Sequence, residues 1–156
     1  MAAVAVQSRD YLLELWLASS AAGAEIGRRL APLGLEPQLF ALLTHISHRE
    51  PVAPSVIAAE EGIPVTTLRD NVQRLVDRGF VERMPNPADG RSYLLARSLE
   101  GARVLDAATH VIAGLYASLD AALPRAVTQY TEVLRELRSG IASVAAGDAT
   151  LVPPAT

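Results

Sequence analysis

The sequence predicts a mainly α fold with one small two-stranded β wing: four helices, a hairpin, then two further helices. Three observations predict it. Apolar residues recur three and four apart over most of the chain, the helical period, and proline and glycine punctuate that pattern at short intervals. One stretch, Phe80 to Arg97, breaks the pattern with two short β-prone runs around a turn-rich centre.

Leu12, Leu15, Trp16, Ser19, Ala22, Ile26 and Leu30 form the stripe of a first helix, Ser8 to Leu30, with Ser8 as its N-cap. Pro32 and Gly34 end it. Pro37 suits the first turn of a second helix, which carries Leu39, Leu42, Leu43 and Ile46 and runs to about Ser47. After the turn at Pro51 and Pro54, a short helix from Pro54 to Glu61 is expected to bury Val56, Ile57 and Ala58, with Gly62 as its C′ stop. A fourth helix, Val65 to Arg78, sets Leu68, Val72, Leu75 and Val76 on one face and polar residues on the other, and ends at Gly79.

Phe80–Met84 and Ser92–Arg97 are the two strands of a hairpin whose tip is Pro85 to Gly90. Ser98 then caps a long helix reaching about Ala122, with Leu105, Ala108, Ile112, Leu115 and Leu119 on its stripe, before Pro124 breaks it. In the last helix, Ala126 to Ala145, residues Val127, Tyr130, Leu134, Leu137, Ile141 and Val144 make a heptad-like seam that wants a partner helix. Residues 147–156 are patternless, and a disordered tail is expected there.

Composition bounds the function. A chain of 156 residues is one domain's worth, with room for an appended helical layer. The absence of cysteine excludes disulfides, thiolate metal sites and thiol-based redox sensing. No stretch approaches a membrane span, and Met1 to Val6 lack the basic flank of a leader, so a cytoplasmic protein without membrane attachment is expected. The formal net charge of -3 gives no global support to nucleic-acid binding. Its distribution is uneven: every basic residue is arginine, and between Val52 and Arg97 arginines and acids balance, leaving the deficit to the flanks.

Helix, short turn, helix with one polar face, then hairpin is the order a DNA reader needs. A helix fits the major groove, and a hairpin beside it reaches the backbone or the minor groove. Thr66, Thr67, Arg69, Asp70, Gln73 and Arg74 supply the polar face of the fourth helix. Arg69 can bind guanine through two hydrogen bonds, Gln73 can pair with adenine, and the threonines offer a hydroxyl and a methyl. An ordinary solvated helix presents a similar face. Asp89, Gly90 and Arg91 lie at the hairpin tip, where an arginine can enter a minor groove, with Asp89 orienting Arg91 through a charge-assisted bond. The same residues also serve as plain turn chemistry.

From about Leu33 to Gly101 the chain resembles the MarR family of winged helix-turn-helix transcription regulators. The resemblance is carried by Leu33-Gly34-Leu35-Glu36-Pro37-Gln38, by LVDRGFVER from Leu75 to Arg83, and by Pro87-Ala88-Asp89-Gly90-Arg91. It implies a winged helix-turn-helix region over 33–98 and a helical dimerisation layer from 1–32 and 99–146. It further implies a homodimer offering two recognition helices and two wings to double-stranded DNA at a palindromic operator. A repressor relieved by a small aromatic or apolar effector is the expected function; a winged-helix protein-interaction module without operator binding is the alternative. Dimerisation would fall to Leu12, Leu15 and Trp16 of the first helix and Tyr130, Leu134, Leu137 and Ile141 of the last. The chain departs from the family where Glu36 replaces a hydroxyl cap, where Pro64-Val65 opens the recognition helix, where Arg97-Ser98 stands for Leu-Thr, and where Asp70 replaces a common arginine.

An effector pocket would be lined by Trp16, Phe40, His45 and Tyr116, which otherwise are core fillers. His45 and His48 lie three apart on the second helix, but a histidine near a helix C-terminus more often complements the dipole, and no metal site is assigned. Nothing resembles a phosphate loop or a catalytic triad, so neither an enzyme nor a cofactor is expected.

Overall fold

The computed structural model describes residues 2–145 and 147, with side chains from Tyr11 onward. It contains six helices: α1 (Ala2–Leu30), α2 (Pro37–Arg49), α3 (Pro54–Glu61), α4 (Val65–Asp77), α5 (Leu99–Ala122) and α6 (Val127–Ala145). Between α4 and α5 lie β1 (Val81–Pro85) and β2 (Tyr93–Arg97), an antiparallel pair in the register Val81↔Arg97 to Pro85↔Tyr93. No described helix is long and apolar enough to cross a membrane.

Most element ends fall where proline and glycine put them. Pro37 and Pro54 open α2 and α3, where a missing N–H costs nothing. Gly34, Gly62 and Gly79 take positive φ at the turns that follow α1, α3 and α4. Two expectations are corrected. α1 begins at Ala2, so Ser8 lies inside the helix instead of capping it; the residues before it are helix-tolerant and include no breaker. In α3 only Ile57 is buried, while Val56 is 41% exposed, because a two-turn helix lays little more than one side chain against the core.

The chain divides into two compact units, residues 1–112 and 113–156. The core of the first is aliphatic: Leu39, Leu43 and Ile46 of α2, Ile57 of α3, Leu68, Val72 and Leu75 of α4, and Val81 and Leu95 of the hairpin. Val52 exchanges two backbone hydrogen bonds with Leu95, 2.8 and 3.0 Å, and so adds a rung on the far edge of β2 from β1. In the second unit α6 buries none of its residues. Its N-terminus is tied back by Asp120, whose carboxylate accepts from the Val127 N–H at 2.7 Å. Of the expected tail, Gly147 closes α6 as a turn, and 148–156 lie outside the described residues.

One corner fixes the hairpin to the helices on either side. Ser98 caps α5 as expected, its Oγ accepting from the Gly101 N–H at 2.9 Å, and the same hydroxyl donates to the Gly79 carbonyl. The Ser98 N–H donates to the Phe80 carbonyl at 3.0 Å. That carbonyl sits so close to Gly101 that a Cβ there would lie 2.0 Å from its oxygen. Only glycine lets the first turn of α5 dock on the end of α4 and the start of β1.

Candidate nucleic-acid interface

α4 presents three polar strips, and burial of Leu68, Val72 and Leu75 decides which residue falls on which. Opposite the buried stripe stand Thr66, Asp70, Gln73 and Asp77, all exposed. On the flank toward the hairpin lie Val65 and Arg69. They line a groove of about 330 Å³ with Pro54 and Ser55 of α3 and with Arg91, Ser92 and Tyr93 of the wing. On the other flank Thr67 and Asn71 line a cavity of about 260 Å³ against Gln38 and His45 of α2 and Ile57 and Glu61 of α3.

The six expected helix residues therefore divide. Among the described residues Arg69 makes no hydrogen bond or ion pair, and Thr66 and Asp70 are likewise exposed without one. Gln73 is engaged at both ends of its amide: Nε2 donates to Asp77 at 2.6 Å, and Oε1 accepts from Arg83 at 2.8 Å. The Arg83 guanidinium lies 4.9 Å from the centre of the Tyr93 ring, so this chain runs from α4 across both strands. Arg74 is bound by Glu36, whose carboxylate also accepts from Arg78 at 3.2 Å, while Arg78 donates to the Gly34 carbonyl. Glu36 thus clasps the C-terminal half of α4 to the start of α2. The sequence marked Glu36 only as an unusual cap; it stands at the N-cap of α2, but its side chain makes no capping hydrogen bond and accepts instead from Arg74, Arg78 and Gln38.

The wing tip is braced by its own polar groups. Asn86 donates to Ser92 Oγ at 2.8 Å, and its own Oδ1 accepts from the Ala88 N–H at 3.0 Å; the Asp89 carbonyl accepts from the Ser92 N–H at 3.0 Å. Asp89 does not hold the Arg91 guanidinium, contrary to the expected charge-assisted bond. Its carboxylate accepts from the Arg91 backbone N–H at 3.0 Å, an Asx turn that leaves the guanidinium without a partner among the described residues. Two unpaired arginines, Arg69 and Arg91, then border one groove from opposite sides.

The other expected residues fall on α1, α2, α5 and α6. His45 lines the 260 Å³ cavity with Nδ1 2.9 Å from Glu61 and Nε2 3.1 Å from Glu60, the second contact being too poorly aligned for a hydrogen bond. Phe40 is half-buried in α2, Trp16 is 64% exposed on α1, and Tyr116 is 54% exposed in the second unit. Leu12, Leu134 and Ile141 are more than half exposed, and Leu15, Tyr130 and Leu137 are half-buried. Among the described residues no three acids or histidines could hold a metal ion. Hydrogen bonds from Arg28 and Arg29 hold the Glu25 carboxyl of α1 below the usual carboxylate value.

Known proteins share this fold. A model of the MarR family matches residues 33–92. YdcH, an uncharacterized HTH-type transcriptional regulator of Bacillus subtilis (strain 168), is 30% identical over 102 residues, which span 63% of this chain and 69% of that protein. A cysteine-to-serine variant of E. coli MarR complexed with operator DNA is 22% identical with a TM-score of 0.72, covering 79% of this chain and 89% of its own. CouR from Rhodococcus jostii RHA1, bound to p-coumaroyl-CoA, is 24% identical with a TM-score of 0.69, covering 94% and 97%. At those identities the two structures speak for the fold, a winged helix with flanking helices, and the relative of known sequence speaks for the lineage. The chain belongs to the MarR family of transcription regulators.

Proposed function

We propose that this regulator binds a palindromic operator as a homodimer, laying α4 in the major groove and passing Arg91 into the flanking minor groove. The observation that carries the proposal is the groove between α4 and the wing, lined by Arg69 and Arg91, two guanidiniums with no partner among the described residues, beside the exposed face of α4. An unpaired arginine on α4 matches the two acceptors of guanine, and one on a wing matches the negative potential of a narrow minor groove. The apolar residues left exposed on α1 and α6, Trp16, Leu134 and Ile141 among them, support self-association, since seams of that size are rare on monomers. The division into a reading region at 33–98 and dimerising helices at 1–32 and 99–146 follows from that reading. Repression relieved by a small aromatic or apolar effector completes it, by analogy with relatives bound to operator DNA and to p-coumaroyl-CoA.

Selection of duplexes from a random pool, followed by fluorescence anisotropy, tests the proposal. Arg69→Ala and Arg91→Ala should each weaken the selected duplex by roughly 5- to 100-fold. If no duplex competes better than a scrambled one at low salt, operator binding is wrong. The two carboxylates on the outer strip of α4 would then favour a second reading, a winged-helix module that docks a basic protein.

A further inference from the structure

We infer that Asp70 is a specificity residue that accepts a hydrogen bond from a base exocyclic amine, cytosine N4 or adenine N6, and that Glu36 keeps it available by holding Arg74 away. This deepens the operator reading and rests on it.

Asp70 and Arg74 stand four apart on α4, acid before base, the spacing at which such side chains normally pair along an exposed helix. They do not pair. Arg74 turns instead to Glu36, 38 residues away in sequence, and Arg78 joins it there. The next cation along the helix, Arg69, is adjacent in sequence and so points from a different strip. Asp70 is therefore exposed at the middle of the outward strip with no partner among the described residues. Its neighbours Gln73 and Asp77 on that strip are bound to each other.

Chemistry limits what such a group can read. An ionised carboxylate only accepts hydrogen bonds. In the major groove the donors are the amines of cytosine and adenine, whereas guanine O6 and thymine O4 present lone pairs that repel it. A carboxylate in the middle of the reading face also penalises non-specific seating against phosphate. Asp70 therefore enforces an amine-bearing base at one position of each half-site. Glu36 is a positioning residue: freed from it, Arg74 would pair with Asp70 and occupy the acceptor.

The test is a base-by-base affinity scan of the selected operator with the full chain. Wild type should prefer cytosine or adenine over guanine and thymine at one position per half-site by roughly 10-fold or more. Asp70→Asn, whose amide also donates, should cut that preference to about threefold or less while preferences elsewhere persist. Glu36→Gln should reduce the preference at the same position, and Glu36→Gln with Arg74→Gln should restore it, because the competitor is gone. A merely structural role for Glu36 would weaken every position alike and would not be rescued by removing Arg74. Uniform loss, no rescue, or an unchanged preference in Asp70→Asn overturns the inference while the operator reading stands. Selection that enriches no sequence overturns both.

Discussion

Replacing Gly101 by alanine should destabilise the protein more than any other single added methyl along α5. A Cβ at that position would lie 2.0 Å from the Phe80 carbonyl oxygen and 2.9 Å from its carbon, so backbone must move by more than an ångström. Forcing a methyl into packed backbone costs about 2–3 kcal/mol. Moving the carbonyl also strains the hydrogen bond it accepts from the Ser98 N–H, worth about 1 kcal/mol, and the Ser98 cap, worth about another. Alanine's helix propensity returns roughly 1 kcal/mol. The net is a loss of about 3 kcal/mol, or about 10 °C in Tm for a chain of this size. Thermal unfolding followed by circular dichroism reads it, at one chain concentration because the proposed self-association would make Tm concentration-dependent. Ser98→Ala, which removes the cap without a clash, should lose about a third as much. A Gly101→Ala protein melting within about 2 °C of wild type would refute the claim that this corner fixes α5 against the hairpin.

Three further expectations follow from the same structure. Leu134→Glu with Ile141→Glu should convert the proposed dimer to monomer on size exclusion with helical content retained; a dimer persisting at micromolar concentration would show that α6 is not the seam. Glu25→Gln should flatten the acid side of the stability profile: Glu25 is depressed when folded, so its contribution is complete above the ordinary unfolded carboxylate value and is lost as pH falls through the lower folded one. The variant and wild type should converge in Tm at the acid end, and a difference that grows with acidity would contradict the assignment. With Arg69 and Arg91 as the unpaired cations at the interface of each of two subunits, the slope of log affinity against log salt should be about -4, and one steeper than about -8 would mean that the interface extends well beyond them.

The architecture was legible because the signals behind it are local. Period-3.6 stripes, Pro37 and Pro54 at helix starts, and Gly62 and Gly79 at helix ends act within a turn of where they stand, and the helices fall within a few residues of them. Ser8 misled because a good capping residue says nothing against helix on its other side, and Val56 misled because two turns are too short for periodicity to choose a face. The candidate site was legible as a set of residue types and not as a set of free groups. Which arginine is available depends on partners far away in sequence: Glu36 for Arg74, Gln73 and Tyr93 for Arg83. The i, i+4 spacing of Asp70 and Arg74 on α4 would by itself favour pairing between them, yet Arg74 is held by Glu36.

That competition also explains how a chain of net charge -3 can offer a surface to DNA. Charges neutralise in pairs away from the reading face: Arg28 and Arg29 with Glu25, Arg49 with Glu60, Arg97 with Glu50, Arg74 and Arg78 with Glu36. What is left there is small in number but sharply divided: two unpaired guanidiniums along the groove between α4 and the wing, and on the outer strip of α4 the carboxylates of Asp70, unpaired among the described residues, and Asp77, bonded to Gln73. On the proposed reading such a surface would attract phosphate weakly and discriminate strongly, because a carboxylate at Asp70 admits few bases and a guanidinium at Arg69 is best satisfied by one. In a protein poor in cations, affinity for random DNA is low from the start. Specificity then needs no large attractive term, only the exclusion of wrong sequences, which is the part inferred above for the exposed Asp70 carboxylate.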